Sequence, residues 1–179
     1  MVRLLGPRLL VASIVCFAAL AGRPAAASTE TAVKAAFLPK FARYVTWPPS
    51  ARPAPGQTLQ LCTIGGDPFG RLLDQAAIAQ SVDGHPIAVR RVASAAAAQG
   101  CHVVFVSGSS QPAGQILAAL GRRPILTVTD ARTSGQRGII HFAVVGGRVR
   151  FFVDNVAAAQ RQLSISSRLL DLAVAVRSQ

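Results

Sequence analysis

The residues able to do chemistry fall where predicted strands end. The stretch 59–64 alternates apolar positions and predicts a strand, and Gly65-Gly66-Asp67-Pro68-Phe69-Gly70 follows it. The glycines permit a tight exit, while Asp67 before Pro68 predicts a helix start with a capping carboxylate and a pre-set φ. Such a loop can hold an anion through its amides and the following helix dipole, and it serves equally as plain turn and cap. Ligands of open α/β sheets gather at the carboxyl ends of the strands, so Gly66, Asp67, Ser107, Ser109 and Asp130 form a candidate ligand crevice. Asp130 is a turn or N-cap residue first and a ligand contact second.

Catalytic machinery is missing from this inventory. His85, His102 and His141 lie on three different elements without metal-ligand spacing, and no serine sits in a nucleophile elbow. A phospho-receiver domain would need a phosphorylatable aspartate after its third strand, where Ser107 stands. No catalytic residue, metal or cofactor is therefore assigned, and the chain is not expected to be an enzyme.

The 179 residues are 51% hydrophobic and 15% charged, which suits one core. Residues 1–27 predict a signal peptide: Arg3 and Arg8 precede an apolar run over 9–20, and Ala25-Ala26-Ala27 offers a cleavage site before Ser28. The run is shorter than the roughly 20 residues a membrane span requires, and no later run is longer, so the mature chain carries no transmembrane segment. Cleavage near Ala27 leaves a domain over 28–179 outside the cytoplasm. The formal charge is +12, and loss of Arg3, Arg8 and Arg23 lowers it to +9. Only Lys34 and Lys40 are lysines, so arginine dominates this balance. An exported protein does not meet nucleic acid, which leaves anionic headgroups, acidic protein surfaces or a merely solvated basic surface. After cleavage Cys62 and Cys101 are the remaining cysteines, and an even pair in an oxidising compartment suggests a disulfide. Their strands are neighbours in a 2-1-3 order, though bridging parallel strands is awkward geometry, and two buried thiols are the alternative.

The elements that position these residues alternate between strand and helix. Residues 31–45 carry Val33, Phe37, Phe41 and Tyr44 at helical spacing, with Lys34, Lys40 and Arg43 interleaved, and predict an amphipathic helix. Pro39 predicts a kink or a later start. Helix is expected over 71–79, strand over 86–92, helix or loop over 93–99, and a central apolar strand over 101–106. A helix over 112–120, a strand over 125–129 and a loop over 131–138 come next. A hairpin follows, 139–145 and 148–153 around Gly146-Gly147. Helices over 155–162 and 167–176, the latter capped by Ser166 or Ser167, close the chain. The whole predicts an α/β fold. It is a single domain with a mostly parallel sheet of about five to six strands in flavodoxin-like order, an antiparallel edge hairpin and flanking helices. Phe41, Tyr44 and Trp47 beside Arg43 are residue types enriched at binding hot spots, so the first helix and the closing helices, with Arg168, are the candidate partner surface. Core burial is the alternative for Phe37 and Phe41.

Val33-Lys34-Ala35-Ala36-Phe37-Leu38 with Phe41, Val45, Trp47 and Pro48, then Leu61-Cys62 leading to Gly66-Asp67-Pro68-Phe69-Gly70, resembles the YfiR-like periplasmic repressor family. Cys101-His102-Val103-Val104-Phe105-Val106-Ser107, Leu126-Thr127-Val128-Thr129-Asp130 and the tail Leu163-Ser164-Ile165-Ser166-Ser167-Arg168-Leu169-Leu170 extend the resemblance over about 31–172. The resemblance implies a non-enzymatic periplasmic regulator, dimeric and α/β, that represses an inner-membrane diguanylate cyclase of the YfiN kind and so lowers cyclic-di-GMP and biofilm formation. It also implies that Cys62 and Cys101 match a pair used for redox-sensitive stability. Pro39 departs from the family helix, and a second cysteine bridge is excluded. The runner-up is a periplasmic small-ligand binding or sensor protein acting on a histidine kinase or a transport receptor.

Overall fold

Strand and helix alternate as the apolar pattern requires, and the loops between them are short enough to wind the chain into one sheet with helices on both faces. The computed structural model describes residues 25–108 and 111–178, with side chains from Thr29 onward. Residues 1–24 of the expected leader therefore fall outside the described residues, as does Ser109, while the backbone of its expected cleavage site, Ala25-Ala26-Ala27, lies at the start of a helix.

The first helix, α1 (Ala25–Phe41), runs into a 3-10 turn over Ala42–Tyr44 and a two-residue strand, β1 (Val45–Thr46). Next come β2 (Leu59–Ile64), α2 (Arg71–Ile78), β3 (Ser81–Val82) and β4 (His85–Val92). A 3-10 turn over Ala96–Ala98 precedes β5 (Val103–Val106), α3 (Ala113–Leu120), β6 (Leu126–Asp130) and β7 (Ile140–Val145). The chain ends with β8 (Arg148–Asp154), α4 (Asn155–Gln160), β9 (Ser164–Ile165), α5 (Ser167–Leu170) and β10 (Val176–Arg177).

Five strands pair in parallel in the order β4, β2, β5, β6, β7, which is the flavodoxin-like order expected. β8 lies antiparallel on β7, with Val145 opposite Arg148 across the turn Gly146-Gly147, where both residues take the positive φ that such a turn needs. β3 on β4 and β10 on β8 bring the sheet to eight strands, more than the five to six expected. A separate pair, β1 with β9, ties the end of the first helical segment to the closing one.

Alternation along the strands sorts the core into two layers. Leu59 and Leu61 of β2, Val103 and Phe105 of β5, and Leu126 and Val128 of β6 face α1 and α2. Cys62, Ile64, Val104 and Val106 face α3 and the 96–98 turn. Phe41 of α1 lies 5.4 Å from the ring of Phe142 and 5.2 Å from that of Phe151, so aromatic packing seats the helix on β7 and β8. Gly65 is required where it stands: its φ is +85, and a Cβ there would meet the Ser107 carbonyl at 1.9 Å. Backbone thus packs on backbone where β2 and β5 end.

Four expectations need correction. α1 does not start late: it begins at Ala25 and runs through Pro39 to Phe41. The proline sits two residues before the helix ends, where its ring and missing N–H disturb only the last turn. The helix after the Gly65-Gly66 loop begins at Arg71, with Gly70 as its N-cap. Asp67 does not cap it and accepts instead from the Phe69 and Gly70 amides through Oδ1. Cys101 and His102 precede β5 rather than belonging to it. Residues 167–176 are not one helix: α5 is a single turn capped by the Ser166 hydroxyl, after which Val174 N donates to Phe151 O and the chain becomes β10. Pairing with the open edge of β8 outweighs the helical propensity of that leucine- and alanine-rich stretch.

Candidate functional site

At the carboxyl ends of the strands Asp67, Ser107 and Asp130 take on structural duties. Asp130 closes β6 and is buried, and its Oδ2 accepts at 2.6 Å from Nζ of Lys34, which is itself only 2% exposed. Lys34 also bonds Glu30 one turn earlier on α1, and Arg132 grips Glu30 with two parallel bonds of 2.7 and 2.6 Å. Two carboxylates and two cations thereby fasten α1 to the end of β6. The Arg132 hydrogen bond, aided by Lys34 and opposed by burial, holds the Glu30 carboxyl below the usual range.

Asp67 is occupied similarly. Besides the two amides on Oδ1, its Oδ2 accepts from Arg91 Nε at 2.8 Å, while the rest of that guanidinium bonds both oxygens of Asp74 and the Gly70 carbonyl. Arg91 thus links β4, the loop after β2 and α2, and its bond keeps the Asp74 carboxyl low. Ser107 is buried beside Gly65. β5 stands between the strands that carry Asp67 and Asp130, and each carboxylate already has a cation, so the two do not converge on one unfilled site. The cavity at this end is walled by Gly108, Gln115, Thr133 and Gln136, without Asp67 or Asp130.

Cys62 and Cys101 form a disulfide with Cα atoms 6.0 Å apart, within the ordinary range. The awkward crossing expected for two parallel strands does not arise, because Cys62 lies opposite Val104 and Cys101 lies in the loop before β5. Both cysteines are buried in the layer against α3.

The candidate partner residues divide by depth. Phe41 and Trp47 are core, at 1% and 4% exposure, and Tyr44 is half-buried. The indole Nε1 of Trp47 is buried with no hydrogen-bond partner among the described residues. Arg43 and Arg168 are exposed. Tyr44 O accepts from Ser166 N at 2.8 Å, and β1 pairs with β9, so the segments carrying Arg43 and Arg168 run side by side.

Sequence reading gave Lys34 no role beyond being interleaved with Lys40 and Arg43 in an amphipathic helix. The signal was present: Lys34, Leu38 and Phe41 fall at i, i+4 and i+7, on one face. It also missed a larger cavity of about 780 Å³ at the opposite end of the sheet, walled by Arg52, Arg90, His102 and Arg123. These residues come from four separate segments and share no local spacing, so only the topology brings them together.

No curated protein shows significant similarity to the chain. The sequence profile of the YfiR/HmsC-like family, by contrast, matches residues 31–174, from α1 through every strand up to the segment that leads into β10. With its helix-covered sheet in flavodoxin-like order and its Cys62–Cys101 bridge, the chain belongs to the YfiR/HmsC-like family.

Proposed function

We propose that the protein is a periplasmic regulator, exported by a signal peptide cleaved near Ala27, that represses an inner-membrane diguanylate cyclase by direct contact and works as a homodimer. The observation that carries this reading is the family match over 31–174. The paired segments bearing Arg43, Tyr44 and Arg168 support a contact surface there, since arginine and tyrosine dominate binding hot spots. Phe41 and Trp47 then act from beneath, holding that surface in shape. The buried bridge supports redox sensitivity, because a reducing periplasm would unlink the loop before β5 from β2 and weaken repression through loss of folded protein.

Deleting the gene in a strain with the cyclase intact should raise cyclic-di-GMP. Restoring it with Arg43→Glu should leave the level raised while the purified variant melts like the parent, because Arg43 is exposed. An unchanged cyclic-di-GMP level on deletion refutes the cyclase as target, and full repression by Arg43→Glu removes this surface from the interface.

A further inference from the structure

Ligands of flavodoxin-like sheets sit at the carboxyl ends of the strands, yet the more capacious hollow in this molecule lies where the strands begin. Gln60 near the start of β2, His102 just before β5 and Ile125 just before β6 form its floor, and the loops 50–58 and 98–102 form its sides. Arg52, Arg90 and Arg123 line this space on three separate segments, and among the described residues no aspartate or glutamate lines it.

The three guanidinium groups bond to the backbone without being neutralised. Arg52 Nε donates to Trp47 O at 2.9 Å, and Arg90 donates to Gln99 O at 3.3 Å. Arg123 donates to the carbonyls of Leu120 and Ala119 at the end of α3 and to Ala95 O. Each bond is to a backbone carbonyl, and among the described residues none of the three arginines has a carboxylate within ion-pair distance. In contrast, Arg91, Arg132 and Arg177 are each paired with an acid. A guanidinium carries five N–H donors, so Arg52 and Arg90 keep most of theirs for another acceptor. His102 adds a neutral donor: its Nδ1 accepts from the Gln60 amide at 3.0 Å, which puts the ring proton on Nε2, and burial keeps the ring from protonating readily. Cys101 forms part of the same wall, so the disulfide fixes the loop that carries His102 and Gln99.

We propose that this cavity binds a small organic anion bearing two or more phosphate or carboxylate groups. Unneutralised guanidinium groups lining one concave surface raise the local positive potential and offer the bidentate donors that such acids accept. Ala51, Pro53, Pro124 and Ile125 supply an apolar wall for the body of the molecule. The proposal rests on this geometry alone, so its failure leaves the repression reading untouched, and the reverse holds too.

Pyrophosphate and citrate serve as probes in isothermal titration of the purified, disulfide-intact protein at fixed ionic strength, with sodium chloride as the control salt. At least one probe should bind saturably. Arg52→Gln and Arg90→Gln should each weaken that binding about ten- to a hundredfold, the loss expected for a charged hydrogen bond. Arg148→Gln, an exposed arginine on the β7–β8 hairpin, should leave it unchanged. The probe that binds tells phosphate from carboxylate preference. Absence of saturable binding of both probes overturns the proposal, as does binding reproduced by chloride or weakened equally by Arg148→Gln. Both cavity variants should keep the parent's melting midpoint, which separates a lost site from a lost fold.

Discussion

Breaking the Cys62–Cys101 bridge tests how much of the fold depends on a covalent link. The cysteines are 39 residues apart in sequence. Closing a loop of about 40 residues lowers the entropy of the unfolded chain by about 13 cal/mol/K, or about 4 kcal/mol at 25 °C. On the native side the Cα separation is ordinary, so no backbone displacement offsets that gain. For a domain of this size one kcal/mol moves the melting midpoint by about 2 to 4 °C, so reduction should lower it by roughly 8 to 16 °C. Calorimetric melts of the purified protein with and without a phosphine reductant measure this directly, alongside a Cys62→Ala/Cys101→Ala variant. Reduced parent and double variant should agree within a few degrees. A shift below about 2 °C on reduction refutes the entropic argument, and a variant that melts far below the reduced parent would show that sulfur packing, not the link, carries the stability.

Lys34→Met should cost about 3 to 5 kcal/mol in urea unfolding, because it leaves Asp130 buried without its cation. Lys34→Met/Asp130→Leu should recover most of that loss, and a double variant as weak as the single one would contradict the pairing argument. Acid should destabilise the protein in two stages. His102 and His141 are held below their ordinary value of 6.5, chiefly by burial, so the unfolded chain takes up protons first and stability declines as pH falls below about 6.5. Glu30 and Asp74 are held below their ordinary values by Arg132 and Arg91, so their contribution is complete above about pH 4.5 and disappears as pH falls through their lower native values. Melting midpoints measured from pH 8 to pH 3 check this, and a midpoint that rises on going from pH 7 to pH 5 would contradict it.

The strand order was legible because β5 is a continuous apolar run, the pattern of a strand covered on both faces, while β2 and β6 alternate apolar with polar residues, and turn residues follow each of them. The Gly146-Gly147 hairpin and the cysteine pair carried equally local signals. Other features depended on distant partners. Residues 167–176 have helical composition, yet an unfilled edge on β8 draws 174–177 into the sheet, and local periodicity does not register that edge. Asp67 was read as a cap and Asp130 as a turn residue first, and their ion pairs stayed hidden because the cations, Arg91 and Lys34, lie 24 and 96 residues away. The arginine-walled cavity was out of reach for the same reason: its residues become neighbours only once the sheet has formed.

The Lys34–Asp130 contact also bears on the order in which the chain folds. α1 precedes β6 in the chain, yet it carries a cation that resists burial until a carboxylate 96 residues later is in place. Aromatic attraction to Phe142 and Phe151 is likewise postponed until β7 and β8 have paired. The first helix is therefore among the last parts to dock, a long-range closure that slows folding, and φ-values near zero along Phe37, Leu38 and Phe41 would record it. Until that step the part of the apolar face that α1 covers stays open. This is the interval in which a newly made chain is most exposed to aggregation and most dependent on a chaperone.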